Sequence, residues 1–254
     1  MNFVLVYVIF PGNGRRNLLP GQFALIIMKS TAEIRRHIAR TTALLRMLCE
    51  REGITSIYGF AVKYDALAAP VHLTRYHGKN GWQALFKGVR PLSAARLRAL
   101  SAVEAWSDAT TLYENGPENL WRAMWGPPDQ LRLVIADELN ECRSFDQVVA
   151  EFEGELLLAH EYRAPLTLVH LAKAIALYRL QYEILGLSDA GVSGGVAQCL
   201  CNEVLQAEME RLGVRQMVNE ELAKFHRTGA NYEFTSLTVA ARWEAVAARL
   251  DWVS

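Results

Sequence analysis

The stretch "GKNGWQALFKGVRPLSAARLRALSAV", residues 78–103, decides how the chain is read. It opens with small and polar residues, runs through Trp82 and Phe86, breaks at Gly88 and Pro91, and restarts as a basic amphipathic segment. On a helix beginning near Lys79, Trp82, Leu85 and Phe86 share one face, and Asn80, Gln83 and Lys87 share another. Aromatics four residues apart belong together in a core. The outward amides Asn80 and Gln83 suit an adenine edge, which offers a donor beside an acceptor. Arg75, Lys79, Lys87 and Arg90 suit phosphates; the bland counterpart is a solvated basic face. After the break, Pro91 and Ser93 open a further helix with Leu97, Leu100 and Val103 inward.

Working outward, residues 30–52 read as a helix capped by Ser30 or Thr31, with Ile34, Ile38, Leu45 and Leu48 on one face and Gly53 as its stop. "TSIYGFAVKYDAL" (55–67) reads as a second helix capped by Thr55 or Ser56, with Ile57, Phe60, Ala61 and Tyr64 at helical spacing. Residues 70–80 connect it to the opening stretch. Downstream, "YENGPENLWRAMWGPPDQ" (113–130) holds two Gly-Pro pairs enclosing a short helix "ENLWRAMW". Residues 108–128 are therefore expected to form a hinge or docking corner. Residues 129–160 read as one helix, or two broken near Ser144. Residues 165–186 read as an apolar helix with Leu166, Val169, Ala172, Ala176, Leu180 and Ile184 in phase. "GVSGG" (191–195) reads as a helix breaker. Beyond it, helices are expected over 196–212 and 214–227, with a last one over "SLTVAARWEAVAARL" (236–250). No strand-like alternation persists after residue 28. The expected fold is all-α, an N-terminal helix-turn-helix-like bundle followed by a larger helical domain over 129–254.

The 254 residues are half apolar and a fifth charged, the balance of a globular protein, with a formal net charge of zero. That total hides an asymmetry. Residues 28–100 carry 13 Lys or Arg against 4 Asp or Glu, whereas residues 101–254 carry 12 against 23. A basic block joined to an acidic one points to a polyanion-binding part and a separate acidic part. The alternative is that the halves neutralise each other across an internal interface. Residues 1–27 differ in character from the rest of the chain. Their apolar run Phe3–Phe10 is eight residues, and a membrane helix needs about 20. A secretory signal would carry positive charge before such a run. Because a convincing helix start stands directly after Met28, residues 1–27 are expected to be an over-extended reading frame, with a short hairpin or flexible arm as the alternative. Four cysteines, at 49, 142, 199 and 201, make no disulfide framework in a chain of this size and point to a reducing, cytoplasmic location.

The segments "SIYGFAVKYD" and "NGWQALFKGVRPLSAARLRAL" give residues 54–103 a resemblance to the lambda-repressor-like (Cro/XRE-type) helix-turn-helix domains of phage and prophage regulators. In that pattern a polar recognition helix ends at a glycine, and a basic residue with Pro or Ser leads into a helix with Leu at every third or fourth position. The resemblance covers about a fifth of the chain. It implies a recognition helix at 78–88, with Asn80 and Gln83 toward bases and Arg75, Lys79, Lys87 and Arg90 toward phosphates. This chain departs from the family in its connector. "ALAAPVHLTRYHGK" (66–79) stands where the family has a turn of three or four residues.

Nothing in the sequence carries catalysis. There is no HExxH, Walker glycine loop, GxSxG or Cys/His zinc spacing. The thiols of "CLC" (199–201) would point about 200° apart on a helix and cannot share a metal. No catalytic residue, metal or cofactor is expected. The leading expectation is a DNA-binding regulator of prophage or mobile-element type, forming a homodimer or recruiting a partner through residues 130–254. A helical interaction or scaffold protein without DNA binding is the alternative, and an all-α enzyme without a local motif the third.

Overall fold

The first helix, α1 (Thr31–Arg51), is long enough to serve two neighbourhoods at once. Its Leu44, Leu45, Leu48 and Cys49 enter one apolar cluster, while Ala39 and Ala43 enter a second. The computed structural model describes residues 31–69, 79–135, 144–181 and 191–228, apart from the side chains of 79–80, 191–194 and 224–228. All regular structure there is helical, with no strand among the described residues, so the fold class is all-α. The expectations for residues 1–27, Arg75, Cys142, most of the 66–79 connector and the helix over 236–250 lie outside the described residues, as do the side chains of Lys79 and Asn80.

The first cluster is the basic block. Helix α2 (Ile57–Ala68) starts where the Ser56 hydroxyl accepts from the Gly59 amide, and α4 (Ala94–Ser101) where that of Ser93 accepts from Arg96. Each cap satisfies an otherwise orphaned amide. Between them lies α3 (Lys79–Phe86), closed by Gly88 at φ +66°. Phe60, Tyr64, Trp82, Leu100 and Trp106 fill the interior. Phe60 meets Trp82 edge-on at 5.0 Å and stacks on Trp106 at 5.2 Å. Trp82 is fully buried, as the spacing requires, and Phe86 packs at the cluster's edge. The outer end of α1 differs from expectation. Ile34 is exposed, because the helix buries only from Ala39 onward.

The cluster continues through the 3-10 turn Glu104–Trp106 into α5 (Ala109–Asn115), where Tyr113 is its last member. Here the Gly-Pro segment is packed. Gly116, Pro117, Leu120, Trp121, Ala123 and Met124 are all buried. Gly116 sits at φ +79°, ψ −179°, a backbone region restricted to glycine, with the Trp121 ring against it. Helix α6 (Leu120–Trp125) begins two residues later than expected, since Glu118 and Asn119 lie at φ 47° and 62°. Arg179 donates to the carbonyls of Ala123 and Gly126 at 2.9 and 3.0 Å and so closes the C-terminal end of α6 with a buried cation.

The second cluster gathers α6, α7 (Pro128–Val134), α8 (Phe145–Glu161), α9 (Leu168–Arg179), α10 (Gly191–Cys201), α11 (Glu203–Arg211) and α12 (Arg215–Thr228). Ser144 opens α8 with a reciprocal capping box to Gln147, so among the described residues of 129–160 a new helix starts there. Helix α9 starts after Thr167 and buries Leu168, Leu171 and Ile175, while Val169 faces outward. "GVSGG" is a helix start, contrary to its reading as a breaker. A Cβ at Gly195 would meet the Leu156 side chain at 3.0 Å, so glycine there lets α10 approach α8 closely. The expected single helix over 196–212 is two, because the Asn202 side chain accepts from Leu205 and begins α11. No helix of the described residues is long and apolar enough to cross a membrane.

Candidate nucleic-acid interface

Residues 79–103 hold five Lys or Arg and no Asp or Glu. This run forms α3, α4 and the turn between them, on the outside of the first cluster. Trp82 and Leu85 anchor α3 inward, so Gln83 is half-buried and Lys87 exposed on the other side. Gly88 and Pro91 then reverse the chain into α4. The return is braced against α3: Arg96 donates to the Gly81 carbonyl at 2.8 Å and lies 5.6 Å from the Trp82 ring centroid. Arg90 reaches the same carbonyl at 3.4 Å, and the Leu92 amide donates to the Thr41 hydroxyl at 2.8 Å. Lys87, Arg90 and Arg98 are exposed and make no ion pair among the described residues. Val89, 69% exposed, sits among them. Of the six residues singled out by sequence, Gln83, Lys87 and Arg90 are thus placed on this surface. Asn80 and Lys79 have their backbone at the start of α3, and Arg75 lies outside the described residues.

Several other cations of the basic block are paired. Arg51 pairs with Asp108 at 2.8 Å, and Lys63 with Glu52 at 3.1 Å. Glu52 also accepts from the Trp106 indole, and the Lys63 hydrogen bond leads in holding its carboxyl below the usual range. Arg35 and Arg36 of α1 reach Glu220 and Glu221 of α12 at 3.3 and 3.4 Å, and Arg211 of α11 pairs with Glu50. Exposed pairs of this kind contribute about 0.2–1 kcal/mol each. The acidic part therefore reaches Arg35 and Arg36 of α1, but its described carboxylates do not reach Lys87, Arg90 or Arg98.

A second polar constellation had no sequence signal. At the seam of α1 with α5 and α6, His37 Nδ1 lies 2.9 Å from the Tyr113 hydroxyl while its Nε2 faces Glu33 at 3.6 Å. With the imidazole proton on Nε2, Tyr113 donates to Nδ1. Burial pushes the Tyr113 phenol up. One turn on, the guanidinium carbons of Arg36 and Arg40 each stand 5.4 Å from the Trp125 ring centroid, and Trp121 stacks on that ring at 4.9 Å. Burial, with Arg36 adding to it, lowers the Arg40 pKa, and Tyr113 and Glu114 oppose the shift. The buried Nε of Arg36 and of Arg40 and the Trp125 indole N–H have no acceptor among the described residues. A buried donor left so costs about 1–3 kcal/mol. These residues are far apart in sequence, and no local spacing could have joined them.

The two buried thiols are held in their unreactive form. Burial pushes Cys199 up to about 12 and Cys49 up to about 11, leaving both protonated at neutral pH, and Cys201 is exposed. Among the described residues no group of three His, Cys, Asp or Glu is placed to hold a metal. No family model, no curated protein and no solved structure matches the chain.

Proposed function

We propose that the chain is a DNA-binding regulator of prophage or mobile-element type, which meets DNA with the surface formed by α3, α4 and the turn between them. Lys87 and Arg90, with Arg75 and Lys79, neutralise phosphates; Asn80 and Gln83 face base edges. The acidic helices beyond residue 129 dimerise or take a protein partner, and the protein works in the cytoplasm. The observation that carries the reading is the acid-free run 79–103, with Lys87, Arg90 and Arg98 exposed and without a carboxylate partner among the described residues. A solvated face normally interleaves both signs.

Replacing these residues separates their roles. Lys87→Ala and Arg90→Ala should weaken retention of all duplexes alike and reduce the salt slope by about one unit each. Gln83→Ala should leave the slope unchanged and cost about 1–3 kcal/mol on a preferred sequence only. Fluorescence anisotropy over a salt series, with circular dichroism as the folding control, reads both. Variants that retain DNA as the parent does would return this surface to a structural corner and favour the scaffold alternative.

A further inference from the structure

We propose that the seam between α1 and α6 is a binding site for a phosphate group, held by Arg36 and Arg40 against Trp125. The two guanidinium groups stand one helical turn apart and converge on one indole, each 5.4 Å from its centroid. Like charges at that spacing repel, and one ring face cannot neutralise two cations. The carboxylates nearby, Glu221 beside Arg36 and Glu114 near Arg40, leave guanidinium donors unused. Glu221 accepts from Arg36 at 3.4 Å, whereas Arg40 makes no hydrogen bond or ion pair among the described residues. The donors are present in excess: Arg36 Nε, Arg40 Nε and the Trp125 indole N–H are buried without an acceptor among the described residues.

The site is open to an arriving anion. The Arg36 side chain is 41% exposed, and Arg40 and Trp125 are half-buried. Part of each arginine is thus open to solvent, while both Nε atoms are buried. Two planar forks and an indole N–H offer more donors, over a wider angle, than the two oxygens of a carboxylate can accept. The tetrahedral oxygens of a phosphate match them, and guanidinium–phosphate pairs are short, bidentate and charge-assisted. The site lies against the second core cluster, apart from Lys87 and Arg90, which belong to the block built on the first. Success or failure here therefore leaves the DNA reading to its own test.

Inorganic phosphate titrated into the full chain by calorimetry, at constant ionic strength made up with chloride, tests the site. The parent should bind saturably. Arg40→Gln should weaken binding at least about tenfold, the usual loss for a charge-assisted hydrogen bond. Trp125→Phe keeps the ring and removes the N–H; it should also weaken binding, and it decides the question if Arg40→Gln fails to fold. Lys63→Ala, on α2, should bind phosphate as the parent does. Adding a DNA duplex identifies the source: displacement of phosphate assigns the site to a backbone phosphate, and no displacement to a free phosphorylated compound. No saturable binding by the parent would overturn the proposal. So would undiminished binding by a folded Arg40→Gln or Trp125→Phe, or loss of binding in a folded Lys63→Ala.

Discussion

At the scale of single residues, much of the chain is decided by side chains that close or open the backbone locally. Ser56, Ser93 and Ser144 each cap a helix, and their positions were legible because capping needs only the residue and the next three amides. Asn202 offers the same signal ahead of Glu203 and was lost inside an apolar stretch. Gly195 was misread because its reason is tertiary: the side chain of Leu156 stands where a Cβ would go. Gly116 combines both kinds of constraint. A Cβ there would lie 2.5 Å from the Trp121 ring, on a backbone at φ +79°. Gly116→Ala should cost about 3 kcal/mol or more, read as a fall in denaturation midpoint at constant slope. A change within about 0.5 kcal/mol would show that α6 can move off Gly116 freely.

At the scale of elements, the hydrophobic period identified the helices, and long-range packing decided which of their faces mattered. Trp82 and Leu85 were legible as the buried side of α3, and Lys87 as its outer side, because one amphipathic turn contains all three. The Arg36–Arg40–Trp125 seam was not legible, because it joins side chains far apart in sequence that meet only in the folded chain. The Gly-Pro segment shows the same limit. Its composition suggests a hinge or docking corner; its apolar residues are buried as members of the two clusters, and α1 contributes side chains to both. Proteolytic cutting needs exposed, mobile chain. Residues 109–125 should therefore resist limited proteolysis under native conditions, and mass spectrometry of early fragments should find no cut there. Early cleavage within 109–125 would show that the two clusters separate in solution.

At the scale of the whole molecule, the zero net charge conceals a division of labour. Ion pairs from α1 to α11 and α12 join the basic block to the acidic one, so part of the asymmetry is internal neutralisation. Lys87, Arg90 and Arg98 do not join those pairs, and that remainder is what the proposed DNA contact uses. Ions condensed on a duplex are released as protein cations replace them, so log K falls linearly with log salt by about 0.9 per phosphate neutralised. The most direct measurement is the affinity of the full chain for a mixed-sequence duplex across a salt series from low to physiological ionic strength. With three or four such contacts the account predicts binding at low salt and a slope of about −3 to −4. Absence of binding at the lowest salt, or an affinity indifferent to salt, would contradict it.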